Sequence, residues 1–143
     1  MKLEALSLHA GADADAEAFL AERIYEFNAK ATGYFDGEAF SATRRDELGA
    51  IVAGVCGYTW GRCCYVSYLW VDERVRFKGL GAELLDATER HALNQHCAVV
   101  FVGTHSFQAP RFYQRMGYEQ QTVLHDHPVG HSSAIFAKRL PRV

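Results

Sequence analysis

The chain has 143 residues, of which 49% are hydrophobic, 13% aromatic and 22% charged; that is the make-up of a single globular domain over residues 1–143 and excludes a disordered chain. Lys and Arg number 15 against 17 Asp and Glu, a formal charge of −2, so no nucleic-acid partner is expected. No apolar run nears the ~20 residues of a membrane span, and Glu4 and His9 interrupt what would have to be a signal-peptide core, so the expected place is the cytoplasm, with no membrane partner.

In chain order, Leu3 to Leu8 alternates like an edge strand. Asp13, Asp15 and Glu17 then open a helix, since anions favour a helix N-terminus. Ala16, Phe19, Leu20, Ile24 and Phe27 follow at helical spacing. Gly33 to Gly37 breaks the pattern. Phe40 to Arg45, Ile51 to Trp60 and Cys64 to Val71 read as three strands joined by short turns, hence an antiparallel meander. Leu80, Leu84, Leu85, Thr88, His91 and Ala92 fall on one helical face, with Glu83, Asp86, Glu89 and Arg90 largely on the other. Ala98 to Val102 reads as a buried strand. Ala109 to Met116 reads as a short helix with Pro110 in its first turn and Gly117 just past its end. Tyr118 to Leu124 and Ser133 to Lys138 close the chain as strands around a loop holding Pro128 and Gly130. The order gives an α+β domain, part antiparallel and part βαβ. Cys56, Cys63, Cys64 and Cys97 contain no Cys-x-x-Cys pair and read as reduced thiols serving as small hydrophobes.

The segment Leu69 to Gly81 is the most informative. A hydrophobic strand ends, a loop with Arg74, Arg76 and Lys78 follows, and Gly79 and Gly81 open an amphipathic helix. The first turn of a helix leaves N–H groups without partners, glycine lets a ligand come close to them, and the dipole favours negative charge. The local physics fits a diphosphate cradle and a plain strand-to-helix turn equally well. The P-loop pattern is absent. A dinucleotide fingerprint fails because the next strand ends Gly103-Thr104-His105 without an acid. The pattern Arg/Gln-x-x-Gly-x-Gly/Ala fits as Arg76-Phe77-Lys78-Gly79-Leu80-Gly81.

On these residues the chain resembles the GNAT superfamily of acyl-CoA N-acyltransferases. Val71 to Ala92 is similar to that family's acetyl-CoA motif. Ser106-Phe107-Gln108-Ala109-Pro110-Arg111-Phe112-Tyr113, continuing to Gly117-Tyr118, is similar to its second signature. The ending from Asp126 to Leu140 also resembles small bacterial members, so the likeness spans about residues 50–140. Phe77 stands where glycine is common, and Ser106 where asparagine is common. The resemblance implies a mixed, mostly antiparallel, twisted sheet of about six to seven strands flanked by three to four helices. It implies transfer of an acetyl group from acetyl-CoA to a primary amine of a small molecule or peptide by direct attack. Leu69, Trp70 and Val71 would face pantetheine across a splayed strand pair, with a backbone donor near Trp70 or Val71 for the oxyanion. Arg76, Phe77, Lys78, Gly79, Leu80 and Gly81 would hold the diphosphate, and Ser106, Ala109 and Phe112 would add contacts. Tyr113 would be the general acid.

The base is not singled out: Asp72, Glu73, Glu26, His105, His125, Asp126 and His127 are all candidates. His125, His127 and His131 form a polar hairpin loop rather than a metal cluster, so no metal is expected. Tyr25, Phe27, Asn28, Tyr34 and Trp60 are candidate acceptor contacts. A homodimer is expected by analogy with relatives. The competing reading is a catalytically inactive acyl-CoA-binding module of the same fold.

Overall fold

The computed structural model describes residues 1–142. They fall into two compact units, Met1–Tyr34 and the chain from Phe35 onward. In the first unit the expected strand over Leu3 to Leu8 does not form. Its alternation slips phase: residues 3 and 5 share one face, whereas the leucines at 6 and 8 take the other, so no single apolar face exists to bury. Helix α1 (Ala14–Thr32) does form. The Asp13 side chain accepts from the Ala16 N–H at 3.0 Å, and Gly33, at φ 81°, closes the other end. The first unit holds α1 as its one helix and no strand, so the periodic side chains Phe19, Leu20, Ile24 and Phe27 find no second element to pack on within it.

The second unit is a six-stranded sheet in the order β1-β2-β3-β4-β6-β5. The strands are β1 (Glu38–Arg45), β2 (Ile51–Trp60), β3 (Cys63–Val71), β4 (Val99–His105), β5 (Glu119–His125) and β6 (Ser132–Arg139). The first three make the expected antiparallel meander, and only β3 and β4 run parallel. Helix α2 (Leu80–Asn94) supplies the crossover between them, and a 3-10 turn (Glu73–Val75) precedes it. Helix α3 (Pro110–Arg115) begins at its proline, where a missing N–H costs nothing. With six strands and three α-helices among the described residues, the expected α+β architecture is found.

The core lies between one sheet face and helices α2 and α3. Ala53, Val55, Cys64, Val66, Val100, Val102 and Phe136 meet Leu84, Leu85, Ala92 and Tyr113 there. Leu85 is fully buried, which stabilises the fold by roughly 1.5–3 kcal/mol. One residue on the expected polar face of α2 does not point to water. Glu89 accepts from Lys138 Nζ at 2.7 Å and from the Tyr118 hydroxyl at 3.1 Å, joining α2 to both ends of the last hairpin. Truncating it strands a half-buried ammonium and a buried phenol. Glu89→Ala should therefore cost about 2–3 kcal/mol and lower the melting temperature by roughly 5–10 °C; a thermal melt that shows less than a 2 °C fall would count against the network.

Candidate functional site

The sheet opens where β3 and β4 part. They pair only from Cys63–Val66 to Val99–Val102. The β2–β3 register breaks at Cys56 and Gly57, which pair with Tyr68 and Val66, so Ser67 is an extra residue. Such a bulge bends and twists its strand, and beyond it Leu69–Val71 and Gly103–His105 diverge. Backbone alternation then decides which groups face the gap. The Asp72 N–H pairs with the Val52 carbonyl at 2.8 Å, so Trp70 also turns to β2, while Leu69 and Val71 turn to the gap. Trp70, named with them from sequence, offers its backbone to β2 instead. On β4 the Ser106 N–H pairs with the Ser132 carbonyl at 2.8 Å, so Gly103 and His105 face the gap. Two of these groups are occupied. Arg76 Nε donates to the Val71 carbonyl at 3.2 Å, and the His105 N–H donates to Gln108 Oε1 at 2.8 Å.

The loop below the gap is held by charge. Arg74 grips Asp72 with two hydrogen bonds of 3.0 and 2.7 Å and adds its own N–H at 2.9 Å. These bonds pull the Asp72 carboxyl down to about 2. A carboxylate so held is no proton acceptor near neutral pH, and Arg74 is spent on it. Among the described residues, Arg76 and Lys78 make no ion pair, so they are the cations left for a ligand. Phe77 (φ 65°) and Gly79 (φ 76°) are both left-handed. That conformation is the one glycine adopts without penalty, and for Phe77 it costs roughly 1–2 kcal/mol. The Phe77 ring is fully exposed. Gly79 is the N-cap of α2 with no side-chain cap, so the first-turn N–H groups have no acceptor on a capping side chain. Gly81 serves a different purpose: a Cβ there would meet the Phe112 ring at 3.2 Å, so glycine lets α3 lie against the first turn of α2.

Tyr113 lies on α3 with its ring edge-on to Phe112 (5.1 Å) and Tyr118 (5.9 Å) and tilted over Phe136 (6.3 Å). Burial pushes its phenol up to about 12. Burial likewise pushes the Cys64 thiol up to about 12 and raises Cys97. Unfolded, such groups ionise near 8.5 and 10. Their neutral folded forms thus contribute stability that is whole below about pH 8.5 and lost as pH climbs toward 12. The melting temperature should fall steadily from pH 8.5 to 11; a flat profile would contradict this.

Ser106 does not cap α3. Its Oγ accepts from the Ser132 N–H at 3.2 Å, and the N-cap is Ala109, whose N–H reaches Thr104 Oγ1 at 3.2 Å. Thr104 therefore faces α3, along with Val100 and Val102. His105, one residue on, faces the opposite side of the sheet. On that side Tyr58 and Tyr65 stack at 5.6 Å, and the Tyr65 hydroxyl reaches within 3.8 Å of the Cβ position of Gly103. Sequence reading passed over Tyr65; period-two counting from the buried Cys64 and Val66 would have found it. Of the other base candidates, Glu26 is paired with Arg23 at 3.0 Å in the first unit. Asp126 accepts from the Gly130 N–H at 3.3 Å. His127 gives its carbonyl to His105 Nδ1 at 2.8 Å. Glu73 lies in the 3-10 turn, and His125 ends β5. Tyr25, Phe27, Asn28 and Tyr34 belong to the first unit, and Trp60 ends β2. Among the described residues, no three His, Cys, Asp or Glu side chains gather to hold a metal ion, and no helix is long and apolar enough to cross a membrane.

Comparison with known proteins finds others that share this fold. A model of the acetyltransferase (GNAT) family matches residues 7–118. Blasticidin-S acetyltransferase of Streptomyces morookaense is 35% identical over 104 residues, covering 72% of this chain and 76% of the relative. An acetyltransferase crystal structure from Bacillus cereus ATCC 14579 superposes with a TM-score of 0.77 at 32% identity, covering 94% of this chain and 98% of the other. An Agrobacterium tumefaciens protein described as an acetyltransferase gives 0.86 at 27% identity, covering 96% of this chain and all of the other, 100%. A Bacillus anthracis structure in complex with acetyl coenzyme A shares the fold, with a TM-score of 0.64 at 14% identity.

Proposed function

The chain belongs to the GNAT family of acetyltransferases, and from that premise we propose that it moves the acetyl group of acetyl-CoA to a primary amine of a small molecule or peptide by direct attack. Acetyl-CoA supplies the acyl group activated as a thioester. The observation that carries the reading is the meeting, at one end of the sheet, of an open strand edge with a helix start that no side chain caps. The N–H groups from Phe77 to Gly81, with Arg76 and Lys78, hold the diphosphate. The edges of Leu69, Val71 and Gly103 pair with the amide-bearing pantetheine arm, with Trp70, Leu80, Ser106, Ala109 and Phe112 around it. A free N–H on the gap side of β3 meets the charge that develops on the acyl oxygen, an effect usually worth a few kcal/mol. Tyr113 meets the charge on the departing sulfur.

Addition of acetyl-CoA at 100 times its dissociation constant should stabilise the fold by about 2.7 kcal/mol, a rise of roughly 5–10 °C in melting temperature. No shift at all would end the proposal. Thiol release should then be screened across amines, beginning with blasticidin S because of the relative acting on it. Stabilisation without thiol release from any amine would instead mark an acyl-CoA-binding module.

A further inference from the structure

We propose that His105 is the base that takes the proton from the attacking amine, an inference that rests on the acetyl-transfer reading above. Three observations single it out from the seven side chains the sequence leaves open. The first is position. His105 ends β4 on the diverging edge, and its side chain projects from the sheet face opposite to Thr104, α3 and Tyr113. An acyl carbon lying in the gap would then have Tyr113 on one side and His105 on the other, which is what an incoming amine and an outgoing sulfur require.

The second is tautomer. His105 Nδ1 lies 2.8 Å from the His127 carbonyl. A carbonyl only accepts, so Nδ1 carries the hydrogen and Nε2 keeps its lone pair. The third is rigidity. The ring stacks on Phe107 at 5.2 Å with only 3° between planes, His127 abuts its edge at 5.2 Å, and Gln108 Oε1 pins the His105 N–H. His131 meets the Phe107 ring in an edge arrangement at 5.1 Å. Other ionisable groups on neighbouring elements include Asp126 in the same loop, His125 at the end of β5, Tyr65 and Tyr68 on β3, Arg111 and Arg115 on α3, and Lys138 and Arg139 on β6. His105 is half-buried, so part of the residue stays open to solvent.

An alkylammonium loses two protons in becoming an amide. Nε2 of His105 takes the first and passes it to solvent. As the C–N bond forms and the C–S bond breaks, the second proton ends on the sulfur. At pH 7 an alkylamine of pKa near 10.4 is only about 10⁻³ neutral, whereas an arylamine is already neutral, so the two classes of acceptor need the base unequally. His105→Gln should lower kcat/KM about 100-fold for an alkylamine and less than about threefold for an arylamine, with the acetyl-CoA melting shift kept. In the variant the alkylamine rate should also climb tenfold per pH unit, the slope of the neutral-amine fraction, whereas the wild-type slope should be shallower.

Equal losses on both acceptors, or no loss on either, would overturn the assignment. Should His105→Gln lose the acetyl-CoA shift through misfolding, the wild-type profile decides: a rate rising tenfold per unit through pH 9 excludes the base. A wild-type protein that shifts with acetyl-CoA but acetylates no amine overturns the acetyl-transfer reading itself, and His105 falls with it.

Discussion

Replacing Tyr113 by phenylalanine is expected to lower turnover about 100-fold while leaving acetyl-CoA binding and stability nearly unchanged. The ring makes its packing contacts with Phe112, Tyr118 and Phe136 through carbon, and phenylalanine repeats them. What the substitution removes is one hydroxyl, protonated throughout the working range because burial pushes it up to about 12. An ordinary thiol ionises near 8.5, so a phenol at that value does not hand its proton outright to a free thiolate. Its contribution is a hydrogen bond that strengthens as charge builds on sulfur, and in a site shielded from water such a donor is worth a few kcal/mol. The loss should therefore appear in kcat, with the acetyl-CoA dissociation constant within about twofold of wild type. If Tyr113 only packs α3 against the sheet, the variant will keep full turnover, and steady-state kinetics on any accepted amine decides between the two.

The parts legible in the sequence were those governed by a local period. Leu84, Leu85, Thr88 and Ala92 repeat at helical spacing and are buried; the strands from Ile51 to Val71 alternate and pair as a meander. The glycine pattern at 79 and 81 was legible as a pair, but its two members act by different physics, one through a left-handed φ and the other by admitting the Phe112 ring. What stayed hidden depends on pairs distant in the chain. Glu89 reads as a surface acid until Lys138, 49 residues on, is laid beside it. Asp72 reads as a candidate base until Arg74 folds back on it. His105 was one of seven candidates, and what distinguishes it, a tautomer set by the His127 carbonyl, comes from 22 residues away. The apolar stripe of α1 is a true helical period, yet period alone does not say what a face packs on, and the first unit offers it no other helix or strand.

Gly57→Ala is expected to be the most destabilising of the small substitutions, costing about 3 kcal/mol or more and lowering the melting temperature by roughly 10 °C. Gly57 is not there for an unusual φ; it lies in the middle of β2, where alanine is conformationally acceptable. The obstacle is space. A Cβ at Gly57 would overlap the Tyr65 backbone carbonyl oxygen, lie 3.0 Å from its carbon and press the Phe40 ring at 3.1 Å. A side-chain tip can swing aside, but here the main obstacle is the backbone of β3, immediately before the bulge at Ser67. To admit the methyl group β3 must move, and the strand that moves is the one whose divergence from β4 forms the gap. The acetyl-CoA melting shift should therefore shrink along with the stability. Gly103→Ala is the matched control, on a strand of the same gap: its Cβ would meet Ile135 Cδ1 at 3.4 Å, the Tyr65 hydroxyl at 3.8 Å and the Ala134 carbonyl oxygen at 3.9 Å, all at ordinary contact distances, and it should cost less than about 1 kcal/mol. Equal melting temperatures for the two variants would show that β3 has slack at the bulge and that Gly57 does not set the opening.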